Sequence, residues 1–214
     1  RLWPDKRGSV GKHLAAILDE AGAVNNADDL RGRSVAVQGF GALEQLLYQD
    51  TSIDANACSM VRAIAENLAK MSAEVYRDWM QSDSPYAQFF VAPSEDNYIY
   101  ESEQELAGVL LNAMYSEFEL ITTQKLDRPL AASIEQANGR RSEGWRSQTS
   151  LLAVQSNLHA LQQLYSVAFS DVVSDALRQQ IDRAFDAAKQ SAQTVTICLL
   201  YRSPSPRDKT VSRM

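Results

Sequence analysis

DANACSMVRAIAENLAKMSAEVYRDWMQ, residues 54–81, is the longest uninterrupted helical pattern in the chain. Val61, Ile64, Leu68, Met71, Val75 and Trp79 recur at steps of three and four, the spacing that lines one face of an α-helix. All six are expected to face a core. At 1.5 Å per residue the segment would run roughly 40 Å, and Ser82-Asp83-Ser84-Pro85 closes it. A rod of that length needs other helices to cover it, and the flanking sequence supplies candidates.

Upstream, Ser9 to Ala21 carries Leu14, Ile17 and Leu18 at helical spacing, with Gly22 as a stop. Val35 to Tyr48 (VAVQGFGALEQLLY) reads as a second amphipathic helix with a stripe of Phe40, Leu43, Leu46 and Leu47 and Ser34 as its cap. Downstream, residues 86–100 are aromatic-rich and read as loop with a helical turn, with a strand pair as the alternative. Ser102-Glu103-Gln104-Glu105 fits a capping box. It opens a helix through Leu106, Leu110, Met114 and Ile121 that is expected to end before Asp127-Arg128-Pro129. Residues 130–146 read as a polar loop. Leu151, Val154, Leu158, Leu161 and Tyr165 mark the next helix, and Leu177, Ile181, Phe185 and Ala192 the last, from about Ser174 to Val195. Strand alternation and fixed-period repeats do not occur. The expected fold is all-α: long antiparallel helices forming two helical-bundle halves, 1–100 and 101–196, of one domain over 1–196.

The 214 residues suffice for one substantial core or two small bundles. A net charge of −6, with no basic stripe interleaved with aromatics, argues against nucleic-acid binding. No apolar run approaches the ~20 residues that span a bilayer. Cys58 and Cys198 make neither a disulfide framework nor a zinc spacing, and Cys58 is expected to be a small buried hydrophobe. Met60, Met71, Met80 and Met114 are expected to fill the core. His13 and His159 lie in different helices without a carboxylate at i+3 or i+4. No Ser-His-Asp set, phosphate-binding glycine loop or paired-carboxylate arrangement stands out.

Residues 197–214 abandon the helical period. Their Cys198-Leu199-Leu200-Tyr201 run, followed by Ser203-Pro204-Ser205-Pro206-Arg207-Asp208, resembles translated sequencing-adapter DNA. The tail is read as non-native or disordered, so its Arg202, Arg207, Lys209 and Arg213 are not taken as a nucleic-acid arm. The first residue is Arg1, not methionine, so the chain reads as mature or truncated.

Gly39 and Gly41 each cost about 1 kcal/mol in a helix interior. Two such costs in three residues imply a close backbone approach, a kink, or a helix that starts later than its hydrophobic pattern. Glu44 is the only acid of the stretch. A helix with small residues at a packing contact and a glutamate at its edge explains all three. A second explanation is a resemblance. Gly39-x-Gly41-x-x-Glu44, followed by Gln45-Leu46-Leu47-Tyr48, resembles the Gly-x-His-x-x-Glu helix of the imelysin-like family of bacterial envelope proteins, with Gly41 in the histidine position. Leu2-Trp3-Pro4-Asp5 is similar to that family's Trp-Pro segment. Glu143-Gly144-Trp145-Arg146-Ser147 resembles the Glu-x-Trp-Arg-Ser segment of its lipoprotein-like branch.

The resemblance implies an all-helical protein at the periplasm or outer membrane, with a link to iron uptake, envelope components as partners, and a lipid anchor upstream of Arg1. The family's name also implies a metal-dependent peptidase. Histidine and glutamate at i and i+3 share a helical face and could share a metal, but Gly41 has no side chain to offer. The expectation is therefore a non-enzymatic protein that binds a ligand or partner, with no catalytic residue, no metal ligand and no evident cofactor; iron or another metal has no ligand set to support it. The alternatives are the peptidase and a purely structural helical module. The candidate ligand-binding residues are Glu44, Gly39, Gly41, Trp3, Asp5, Trp145 and Arg146. They would form one polar site between the two bundles, with Arg146 or Arg141 pairing with Glu44 or Asp5. The bland reading of 140–146 is a solvated loop held by its tryptophan.

Overall fold

The computed structural model describes residues 4–5, 7–20, 22–48 and 54–194. They form helices α1 (Ser9–Leu18), α2 (Phe40–Leu47), α3 (Ala55–Met80), α4 (Ala87–Val91), α5 (Glu103–Glu119), α6 (Arg128–Leu130), α7 (Ser150–Ala168) and α8 (Asp175–Thr194). Among the described residues there is no strand, and the fold is all-α. The chain divides into two compact units, Arg1–Leu106 and Ala107–Met214. The tail 197–214 lies outside the described residues.

In the first unit Asp54 starts α3 by accepting the Ala57 N–H on its carboxylate at 2.8 Å. The helix then runs 26 residues, close to its expected bounds. Its buried face is the expected one only in the N-terminal half, where Ile64 is buried and Val61 and Leu68 pack against the core. Ala57, Met60, Ala63, Ile64 and Asn67 are buried, whereas Met71, Val75 and Trp79 are exposed, as is Met80. The reason is length. α1 has 10 residues and α2 has 8, so they reach about 15 Å and 12 Å along a rod of about 39 Å. Only the N-terminal half of α3 can be covered by them, and the pattern in its distal half has no partner of matching length in this unit. Ile64, fully excluded from solvent, packs with Met60, Leu14, Leu30, Val37 and Leu46. Burying such a side chain contributes about 1.5–3 kcal/mol. Cys58, expected inside, is exposed, because it lies off the face that Ala57 and Met60 bury.

Residues 82–100 wrap the end of α3 with aromatic rings. Trp79 meets Tyr86 and Phe90 at centroid distances of 4.9 and 5.2 Å, and Phe90 meets Tyr100 at 5.0 Å. Asn97 closes this loop. Its amide donates to the carbonyls of Phe89 (2.9 Å) and Ala92 (3.1 Å), and its oxygen accepts from the N–H groups of Ile99 and Tyr100. The segment is loop with one short helix, as its composition suggests.

The boundary between the units falls one turn into α5. Ser102 accepts the Glu105 N–H, and Glu105 reaches back to the Glu101 N–H at 2.8 Å. The helix does not stop before Asp127. It widens into a π-helical stretch, Leu120–Asp127, and continues through α6. Thr122 and Thr123 donate their hydroxyls to carbonyls one turn back, which competes with the α ladder at that point. The Arg128 N–H bonds to the Thr123 carbonyl five residues back. A wider turn relieves the clash that Pro129 makes with a carbonyl four residues back in an α-helix. α7 and α8 are antiparallel, since Gln155 bonds to the Ala192 carbonyl, Gln162 to Lys189, and Tyr165 meets Phe185. Met114, Ile121, Val154, Leu158, Leu161 and Phe185 form the core beneath them.

The two halves of α3 therefore differ in energetic weight. Ile64→Ala should cost about 2–5 kcal/mol in urea unfolding, whereas Val75→Ala, though on the same sequence stripe, should change stability by no more than about 0.5 kcal/mol. Equal losses would contradict the burial pattern.

Candidate functional site

The two motif glycines resolve into a helix that starts late. Ser34 accepts the Ala36 N–H and caps a 3-10 turn, Val35–Val37, not α2 as expected. Gly39 is extended (φ −126°, ψ −178°) and is the N-cap of α2. Gly41 falls in the first turn, so neither glycine bears an interior cost. A Cβ added at either position meets nothing within 4 Å, which excludes a close approach there. The close approach is at Gly11 of α1, where a Cβ would come within 3.3 Å of the Gln45 amide nitrogen. Sequence reasoning missed it because Gly11 carries no motif.

Within α2, Ala42 and Leu46 are buried and Leu43 is partly buried. Phe40 and Leu47, expected in the stripe, are exposed, because the late start turns the buried face toward Ala42. Glu44 is half-buried and lies three residues after Gly41, on the same helical face. The segment before α2 is held from two sides. Gln38 donates to the carbonyls of Leu30 (2.9 Å) and Arg33 (3.1 Å), and buried Asn67 of α3 donates to the Gln38 carbonyl at 3.3 Å. An open groove of about 310 Å³ lies against these amides, lined by Arg31, Gln38, Asn67, Lys70, Met71 and Glu74. Gly39, Gly41 and Glu44 do not line it.

Asp5 stands before α1 and accepts the N–H groups of Ser9 (2.8 Å) and Val10 (2.9 Å), one on each carboxylate oxygen. Burial pushes its pKa up. The N–H groups of Val10, Ser9, Arg7 and Gly8 together outweigh that and hold the carboxyl below the ordinary aspartate value. Trp3 lies outside the described residues. His13 and His159 are exposed, and among the described residues no group of three or more His, Cys, Asp or Glu side chains could hold a metal.

Trp145 and Arg146 belong to the second unit, on a loop fixed by an ion pair that the sequence did not reveal. Lys125, on the π-helical stretch, is 7% exposed at its side chain and meets Glu143 at 2.7 Å. Its ammonium also donates to the Asn157 side-chain oxygen at 3.2 Å, and the Asn157 amide donates to Glu117. Ser150 donates to the Glu143 carbonyl. Gly144 next in line has φ +60°, and a Cβ there would fall 2.2 Å from the Thr149 hydroxyl, so only glycine fits. Beyond it Trp145 is half-buried. The Arg146 guanidinium lies 4.4 Å from its ring centroid and that of Arg140 5.6 Å. Lys125 was legible only as a lysine inside an apolar helical pattern.

The model of the imelysin family (peptidase M75) matches residues 1–208 of this sequence. Neither a characterised protein nor a solved structure matches the chain.

Lys125→Met should destabilise the second unit by about 1–3 kcal/mol, since it leaves Glu143 without its cation at a partly exposed position; a change below about 0.5 kcal/mol in urea unfolding would contradict the role of the pair. For Asp5 the folded pKa is lowered, so its stabilisation is present above the unfolded pKa and is lost as pH falls through the folded one. Asp5→Asn should therefore flatten the fall of the unfolding midpoint between about pH 5 and about pH 2. An unchanged profile would show that the cap does not titrate.

Proposed function

Because the chain belongs to the imelysin family, we propose that it is a non-enzymatic protein of the bacterial envelope that serves iron uptake by binding a ligand or a protein partner. The observation that carries this reading is Gly41. The motif helix keeps Glu44 but has no side chain three residues before it on the same face, where a metal-sharing histidine would stand. Glu44 would then act in polar recognition rather than as a metal ligand. Polar groups gather beside the motif in the groove of Arg31, Gln38, Asn67, Lys70 and Glu74, and in the second unit around Trp145 and Arg146. Gly39 and Gly41 keep the surface next to Glu44 open, since a Cβ at either would meet no neighbour. Among the described residues no helix is long and apolar enough to cross a membrane, which is compatible with a periplasmic or outer-membrane-associated protein.

The competing reading, a metal-dependent peptidase, has the family's peptidase designation in its favour. Metal analysis and peptidase assays on the purified protein separate the two. The expected outcome is no stoichiometric zinc and no hydrolysis in the wild type, with zinc affinity raised in Gly41→His, whose side chain has room to enter. Bound zinc with hydrolysis that disappears in Glu44→Ala would overturn the proposal.

A further inference from the structure

The loop that carries Trp145 has an unusual charge state. Between residues 137 and 149 it holds three arginines, Arg140, Arg141 and Arg146, and one acid, Glu143. That acid is partly exposed and pairs with Lys125 at 2.7 Å. Among the described residues none of the three guanidiniums has a carboxylate partner, although acids outnumber bases 27 to 21 in the chain. Among the described residues the positive charge of the three guanidiniums is therefore not matched by a carboxylate at ion-pair distance, and the backbone of the loop is tied down from below.

The guanidiniums are also oriented. Arg146 stacks on Trp145 and Arg140 approaches the same ring. A guanidinium drawn over an indole ring is restricted in position, and its planar fork of N–H donors matches two oxygens of a phosphate or carboxylate. The loop supporting it is rigid for stated reasons. Asn138 caps the 3-10 turn Gly139–Arg141 by accepting the Arg140 N–H at 3.1 Å, Ser142 is buried, and Gly144 is locked at positive φ against Thr149. Preorganisation of this kind lowers the ordering cost of binding.

We propose that the Arg140–Trp145–Arg146 stack, with Arg141 beside it, is a recognition site for a phosphate-type oxyanion. It deepens the recognition role proposed above and rests on it for Trp145 and Arg146. The chemistry is shared by a soluble phosphate and by the headgroup of an anionic phospholipid, and one experiment distinguishes the two. The intact protein is titrated calorimetrically with inorganic pyrophosphate, and in parallel sedimented with vesicles of phosphatidylcholine containing phosphatidylglycerol. Binding in the first arm alone assigns a soluble ligand; binding in the second alone assigns a headgroup. In either case Arg140→Ala with Arg146→Ala should weaken it about tenfold or more, and added salt should weaken it further. Arg146→Lys keeps the charge but loses the planar fork, so it should weaken binding while leaving the thermal melt unchanged. That variant keeps the test decisive if the double variant fails to fold. Binding of neither probe, or equal binding by wild type and Arg146→Lys, would overturn the proposal. The zinc analysis and peptidase assays above do not depend on these arginines, so failure here and failure of the metal-free reading are separately visible.

Discussion

An ammonium group taken out of water has to find an anion, and Lys125 imposes that requirement on the second unit. Leaving it unpaired would cost several kcal/mol. Glu143 answers at 2.7 Å, and in doing so pulls the loop of residues 131–149 onto the helices that carry Lys125 and Asn157. Much of the local architecture follows. The chain must turn at Gly144 with positive φ, Ser150 must meet the Glu143 carbonyl, and Trp145 emerges at a set place with Arg140 and Arg146 against its ring. The pairing also engages the one acid among residues 137–149. One ion pair thus sets the shape of the loop.

The first unit uses side-chain bonds to backbone to the same end. Asn67 of α3 donates to the carbonyl of Gln38, and the Gln38 side chain donates to two carbonyls of the preceding turns. These bonds hold the residue just before Gly39, so that α2 starts where the motif glycines place it. Asp5 acts likewise at the start of α1 through two backbone N–H groups. In both units motif residues are positioned by side chains bonding to backbone, and the apolar cores supply the base on which this rests.

The candidate site was legible in parts. Gly41 and Glu44 could be placed on one helical face from spacing alone, because i and i+3 are neighbours in any α-helix. The roles of the glycines could not. A glycine at an N-cap and one in a helix interior look alike in a pattern, and the choice rests on where Gln38 is held. Glu143 and Trp145 were legible as a motif, but their anchor was not. Lys125 is eighteen residues from Glu143, and a single lysine in a helical pattern more often faces water than a carboxylate. The groove of Arg31, Gln38, Asn67 and Lys70 joins three segments with no common signature.

The sequence by itself determined the all-α class, the cap at Ser102, and the extent of α3, because capping, periodicity and scarce glycine act over a turn or two of chain. Tertiary structure alone decided which residues of each face are buried. Met71, Val75 and Trp79 continue a perfect helical stripe yet stay exposed, since burial needs a partner as long as the stripe and α1 and α2 are too short. It also decided that the helix of α5 passes Asp127, because a π turn made room for Pro129, and that Lys125 faces inward. Local pattern fixes what a segment can bury; only the lengths and placements of its neighbours decide what it does bury.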